Sequence, residues 1–239
     1  MRQDHRPYII KKWFLNFEQF YVRHFLIPHF DGFEGGFSVM GPWHVEVFGA
    51  PVTIGRCVTI IATSDRKVRF SVWADAPGTG KIAVGNFCLI SPGVRISSAQ
   101  EILIGDNCMI ASNAYITDSD WHDIHDRVGT GASAPVRLGN NVWIGDSAIV
   151  CKGVSIGDNS IIGAGAVVTR SIVANVIAAG NPAQTIRGLD ADKPVTTRGN
   201  WFAAHPNLKH ELDQWDRAVM KNNTMLKWLR YLVSPKRGD

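Results

Sequence analysis

The chain has 239 residues, 45% of them hydrophobic and 19% charged, with 25 Lys and Arg against 21 Asp and Glu for a net charge of +4. This is the balance of a folded globular protein with room for a sizeable core, and it excludes a disordered or collagen-like chain. The small basic excess suits an anionic ligand or an anionic membrane surface and is too weak to argue for nucleic acid.

In chain order, residues 8–27 set Ile10, Trp13, Phe14, Phe17, Phe20, Tyr21 and His24 at helical spacing, ended by Pro28 and Gly32. The amphipathic helix this predicts either caps the open end of a repeat core or lies on a membrane surface, since Lys11, Lys12 and Arg23 flank the aromatic residues. The start MRQDHRPYII has no secretory pattern and no apolar run approaches the ~20 residues of a membrane span, so a cytoplasmic protein, reaching at most the inner face of a membrane, is expected.

From residue 44 a six-residue phrase begins, irregularly at first, with Phe48, Ile54 and Ile60 in phase. After loops around TSDRKV and ADAPGTGK it returns at Val84, Ile90, Ile96, Ile104, Ile110 and Ile116. Residues 138–173 then repeat it without a slip: LGNNVW, IGDSAI, VCKGVS, IGDNSI, IGAGAV, VTRSIV. Six is a multiple of two, which keeps one residue type on one face of a strand, and not of 3.6, which rules out a helical stripe. Each phrase is therefore a short strand with an aliphatic residue inward, ended by a turn relieved by Gly or Asn. Three phrases make a triangular turn, and stacked turns pair as parallel sheet. Cys88 and Cys108 fall on the small fifth position; with Cys57 and Cys151 they lack CxxC spacing and read as packed thiols of a reducing compartment.

From Ile116 to Leu138 the chain runs 22 residues where six would continue the coil. The excursion, residues 117–137, carries DSDWHDIHDR, with Asp118, Asp120, His122 and His125. A neutral imidazole is a suitable base at neutral pH for activating a hydroxyl, and a long polar insertion in a regular repeat is where function concentrates. After residue 187 the repeat stops, and 206–220 and 224–233 read as two helices, the first with Leu208, Leu212, Trp215 and Val219 on one face. The expected division is 1–43 as N-terminal helix and cap, 44–187 as β-helix, and 188–239 as helical extension.

The run IGDSAIVCKGVSIGDNSIIGAGAVVTRSI, followed by AAGNPAQTIR, resembles the hexapeptide-repeat acyltransferases, above all the maltose and galactoside O-acetyltransferases and bacterial polysaccharide O-acetyltransferases. The resemblance implies a left-handed parallel β-helix, a homotrimer, and acetyl-CoA lying in a groove between coils of adjacent subunits, with no metal. It places the catalytic His-x-x-His in this excursion, so His122 is the expected base and His125 the runner-up. It puts the Asp146 backbone N–H at the developing oxyanion. Coenzyme A contacts are expected at Ala164, Thr169, Arg170, Asn181, Pro182 and Arg187, with Trp143 walling the reaction centre. The acceptor, a sugar or a surface-polysaccharide precursor, is expected near Ser91, Asp118 and Asp120. Two departures stand out: Trp121 where the family has a small residue or Gly, and Gln184 where it often has Lys or Arg. Readings of other classes are a non-catalytic trimeric scaffold and a zinc hydratase of the carbonic anhydrase type. The latter needs three converging histidines, and the coils offer the pair His122 and His125.

Overall fold

A computed structural model describes residues 4–74, 78–190 and 192–237. The chain divides into two compact units, Tyr21–Trp201 and a second made of Met1–Phe20 with Phe202–Asp239.

The larger unit is a three-faced parallel β-helix. Its first face stacks Gly32–Phe33, Val52–Ile54, Ile82–Val84, Ile102–Ile104, Val136–Leu138 and Ser155–Ile156. The second stacks Ser38–Met40, Thr59–Ile61, Leu89–Ile90, Met109–Ile110, Trp143–Ile144, Ile161–Ile162 and Val176–Ala179, with Gln184–Gly188 added antiparallel. The third stacks Val45–Phe48, Val68–Val72, Arg95–Ser98, Tyr115–Thr117, Ile149–Val150 and Val167–Val168. Like residues sit in rungs: Ile90, Ile110, Ile144 and Ile162 follow one another on the second face, all at most 1% exposed. Each such side chain contributes roughly 1.5–3 kcal/mol through burial, as an upper estimate.

The phrase has two constraints on glycine with different causes. At the second position the coils approach too closely for a side chain: a Cβ on Gly105 would lie 2.6 Å from the Gly139 carbonyl oxygen. At the fourth position the backbone is left-handed, with φ of 63° at Asn107, 55° at Asn141, 57° at Ser147 and 60° at Asn159. Asn is the non-glycine residue that tolerates this region best, which explains its recurrence there. The third position ties coil to coil. Asn86 N–H donates to Asp106 Oδ1 (2.7 Å), Asp106 N–H to Asn140 Oδ1 (2.9 Å), and Asn140 N–H to Asp158 Oδ1 (2.7 Å). Cys88 and Cys108 are buried as the phrase requires, their thiols donating to the Gly105 and Gly139 carbonyls, and the pairing of the two raises the Cys88 pKa.

Phe48 departs from the sequence reading. Val47 pairs with the buried Phe70 and Phe48 with Ser71, so strand alternation turns Phe48 outward, where it is 53% exposed and stacks on Trp73 at 4.2 Å. The first coil, Gly32 to Phe48, starts ahead of the six-residue phrase because its turns do not follow that spacing. Helix α1 (Tyr8–Tyr21) gives way to a π turn at Val22–Leu26 and a 3₁₀ turn at Ile27–His29. Val22, Leu26 and Phe30, rather than the face predicted from residues 10–24, join the β-helix core.

Helix α2 (Arg198–Ala204) was not anticipated. Within the β-helix unit Arg198 Nε donates to the Phe87 carbonyl (2.6 Å) and Gly199 N–H to Asn107 Oδ1 (2.6 Å). In the smaller unit α1 meets α3 (Leu208–Val219) through polar groups, and α4 (Met225–Val233) follows. Tyr8 Oη donates to Asp213 Oδ1 at 2.6 Å, Lys11 pairs with Asp216 at 2.6 Å, and Lys12 with Asp213 at 3.4 Å. Their apolar faces stay exposed: Trp13 by 66%, Trp215 by 62% and Leu226 by 80%.

Candidate active site

The excursion leaves the third face after Tyr115–Thr117, at the edge leading to the first face, and rejoins at Val136. Its stem is a short antiparallel pairing: Ser119 bridges Ser133, Asp120 N–H donates to the Ala132 carbonyl (3.0 Å), and Asp123 N–H to Gly129 (3.1 Å). Gly131 lets the strands close on the histidine, since a Cβ there would lie 2.5 Å from the His122 carbonyl oxygen. The tip is a turn wound on Asp123, whose Oδ1 accepts from the N–H groups of His125 (2.8 Å) and Asp126 (2.9 Å). Those bonds lower the Asp123 pKa.

His122 and His125 are both exposed. His122 is the one seated on the stem. Its N–H donates to the Asp120 carbonyl (2.8 Å), and among the described residues its ring nitrogens have no hydrogen-bond partner. The preceding residue aims it. Trp121 has φ of 64°, its N–H donates to Ser119 Oγ (3.0 Å), and its indole N–H donates to Tyr115 Oη and Thr117 Oγ1, both at 3.1 Å. A cleft of about 450 Å³ beside it is lined by Trp73, Ser97, Trp121 and His122. Another groove of about 420 Å³ on the first face is lined by residues from Arg137 to Val173 and not by the histidine.

The expected acceptor carboxylates divide. Asp120 is exposed and pairs with Lys152 at 2.5 Å. Asp118 is fully buried and already engaged: its carboxylate accepts from Ser98 Oγ (2.7 Å) and from the N–H groups of Ala99 (2.6 Å), Gln100 (2.9 Å) and Glu101 (2.7 Å). That geometry corrects the expectation of substrate binding at Asp118, because a saturated, buried carboxylate holds the turn of the preceding coil and has no oxygen facing a groove.

The remaining residues fall on two edges of the prism. Thr169 and Arg170 follow Val167–Val168 and share the third-to-first edge with the histidine loop, both exposed. Ser91, Asp146 and Ala164 lie on the second-to-third edge, and Trp143, 45% exposed, on the second face. Asp146 carbonyl accepts from Gly165 N–H (2.7 Å), while its own N–H has no partner among the described residues, since Ala164 above it offers no side-chain acceptor. Asn181 and Pro182 form an exposed turn beside Val167, which donates to the Gly180 carbonyl (2.9 Å). Arg187 stands on the antiparallel edge strand opposite Ile177. A single protomer therefore does not bring the histidine and the Asp146–Trp143 group together. Sequence reasoning missed Trp73 and Ser97, which reach the histidine only through strand register: Ser71, Ser97 and Thr117 form one rung. Among the described residues no group of three His, Cys, Asp or Glu could hold a metal ion.

Residues 135–170 match the family described as bacterial transferase hexapeptide (six repeats), and residues 102–118 the hexapeptide repeat of succinyl-transferase. Galactoside O-acetyltransferase of Escherichia coli is 46% identical over 151 residues, covering 60% of this chain and 74% of that protein. A relative from the same organism, provisionally named a colanic acid biosynthesis acetyltransferase, is 32% identical over 45% of this chain and 58% of its own length. Among solved structures, a Bacillus cereus protein provisionally named an acetyltransferase shares the fold with a TM-score of 0.52 at 16% identity, over 78% of this chain and 92% of that one. A galactoside acetyltransferase solved with coenzyme A is 26% identical with a TM-score of 0.44, over 72% and 75%. The six-residue phrase, the three parallel faces and the match along the E. coli sugar acetyltransferase agree: the chain belongs to the hexapeptide-repeat acyltransferases and has their left-handed parallel β-helix.

Proposed function

We propose that this chain is an acetyl-CoA-dependent O-acetyltransferase acting on a hydroxyl of a sugar or surface-polysaccharide precursor, with His122 as general base. The imidazole takes the hydroxyl proton as the oxygen attacks the thioester carbonyl. The new ester C–O bond forms, the C–S bond breaks, and the thiolate of coenzyme A receives the proton from the imidazolium. An N–H at the Asp146 position supplies the hydrogen bond that the carbonyl oxygen needs as it gains charge. The observation that carries this reading is an exposed imidazole, unengaged at its ring nitrogens, seated on a braced hairpin at the mouth of a cleft. The matching test is release of free coenzyme A thiol with a saccharide panel. His122→Ala is expected to lower kcat/KM by about 10²–10⁴ and His125→Ala by less than about tenfold; equal turnover in His122→Ala and wild type refutes the mechanism.

The homotrimer that the family resemblance implies is compatible with the same placement. The base lies on one edge and the Asp146 group on another, so two copies that juxtapose these edges complete one site. Sedimentation giving a monomer with full activity counts against it. The helical unit suggests a peripheral membrane contact. It carries eleven Lys and Arg against six Asp and Glu, a net +5 that exceeds the +4 of the whole chain. Its helices join by polar faces and leave Trp13, Trp215, Leu226 and Leu232 exposed. No helix among the described residues is long and apolar enough to cross a membrane. Salt-sensitive cosedimentation with anionic but not zwitterionic vesicles is expected; its absence removes the membrane role and leaves the enzyme reading untouched.

A further inference from the structure

We infer that Lys152 is a positioning residue: its ammonium, paired with Asp120, is the grip by which the following coil sets the angle of the hairpin that carries His122. The clamp itself stands on geometry; that it serves acyl transfer rests on the function proposed above.

Register brings the partners together. Ile116 pairs with Val150, so the turn after Ile149–Val150 lies beside the point where the excursion leaves its own coil. That turn, at Lys152 and Gly153, meets both limbs of the hairpin. Lys152 Nζ reaches Asp120 Oδ2 on the outgoing limb at 2.5 Å, and Gly153 N–H donates to the Ala134 carbonyl on the returning limb at 2.9 Å. Glycine suits the second contact, because φ is 72° there and a Cβ would lie 3.3 Å from that of Ala134. Asp120 carries the contact on to the imidazole. Its N–H donates to the Ala132 carbonyl at 3.0 Å, closing the stem, and its own carbonyl accepts from His122 N–H at 2.8 Å. One residue is thus bonded to the stem, the histidine and the next coil, and a shift of Asp120 takes His122 with it.

Two carboxylates on one limb therefore hold it to the coils on either side, Asp118 to the 98–101 turn before it and Asp120 to Lys152 after it. A hairpin fixed on one side alone can pivot; a second tie on the other side removes that freedom. The two ties differ in kind. Asp118 is buried and saturated, and it organises the fold. The Lys152–Asp120 pair is exposed to solvent, contributes little to stability and is screened by salt. Its effect is on orientation, which makes it separable from folding. The same contact engages Asp120 Oδ2 from within the chain, a role different from holding the acceptor.

Hydrogen exchange of the full chain, read by mass spectrometry, decides the clamp without any acceptor. At low salt Lys152→Met should quicken exchange across residues 119–134 by about two- to fivefold, the range open to an exposed ion pair, with the melting temperature unchanged. Lys152→Arg, which keeps the charge, should restore the wild-type rate, and about 1 M NaCl should bring wild type to the rate of Lys152→Met. Wild-type exchange in Lys152→Met, or faster exchange throughout the β-helix, overturns the inference. Coenzyme A thiol release with the saccharide accepted from the panel reads the consequence. Lys152→Met and Asp120→Asn should each lower kcat by about three- to tenfold with KM for the saccharide within about twofold, and the double variant should fall no further than either. A raised KM in Asp120→Asn alone assigns that carboxylate to the acceptor and overturns the positioning role. A loosened hairpin with turnover indifferent to His122→Ala overturns the proposed mechanism and leaves the clamp standing.

Discussion

Asp118 and Asp120 are two residues apart in one polar loop, and nothing in their sequence neighbourhood separates them. The structure gives one a buried turn to hold and the other an exposed partner, Lys152. Asp118→Ala would leave the Ala99 N–H and the Ser98 hydroxyl buried without an acceptor, while the exposed Gln100 can turn to water. Counting about 1–3 kcal/mol for each of these two stranded buried groups, a loss of about 2–6 kcal/mol in unfolding free energy is expected from denaturant titration. A change under about 1 kcal/mol would mean that the carboxylate does not organise the 98–101 turn. Trp121 and His122 teach the same lesson from the other side. The family resemblance points to His122 of the two loop histidines, but the left-handed turn before it is made by a tryptophan that no turn preference would select.

At the scale of the element, the six-residue phrase is a record of two sterically distinct demands. Space is the issue at the second position: Gly105→Ala brings a Cβ against backbone that cannot move aside, and about 1–3 kcal/mol should be lost. Dihedral preference is the issue at the fourth. Ser147→Gly removes the roughly 1–2 kcal/mol cost of a left-handed non-glycine residue and adds about 0.5–1 kcal/mol of unfolded-chain entropy, so a net gain of up to about 1.5 kcal/mol is expected. Paired thermal melts of the two variants should move in opposite directions; movement in the same direction would show that one cause governs both positions. The strands themselves were legible because their inward residues recur at a fixed interval. The first coil and α2 were not, since neither repeats, and α2 takes its place through Arg198 and Gly199 bonding a distant corner.

For the whole molecule, the two units are stabilised by different forces and should respond differently to acid. The β-helix core is largely aliphatic. In the helical unit Asp213 accepts from Tyr8 and pairs with Arg217 and Lys12, which pulls its pKa down to about 2. A carboxylate whose pKa is lowered on folding stabilises the folded form above its ordinary range near 3.8, and that contribution fades as pH falls toward 2. The α1–α3 attachment should therefore be steady down to about pH 4 and loosen between about 4 and 2, followed by tryptophan emission. Asp213→Asn should already be loosened at neutral pH and show a smaller acid change; an identical acid profile would show that other carboxylates govern it.

The sequence alone determined the three-faced coil, its inward residues and the place where a long polar excursion leaves it, because a period of six is a local property that each phrase writes for itself. The tertiary structure decided what lies beside what across coils. Loops of unequal length between Val72 and Ile82, and between Thr117 and Val136, set the lateral register, and register brings Trp73 and Ser97 to His122 while carrying Asp146 to a different edge. Neighbours made by stacking are separated along the chain by whole coils plus their insertions, so no spacing rule read along one strand could have named them.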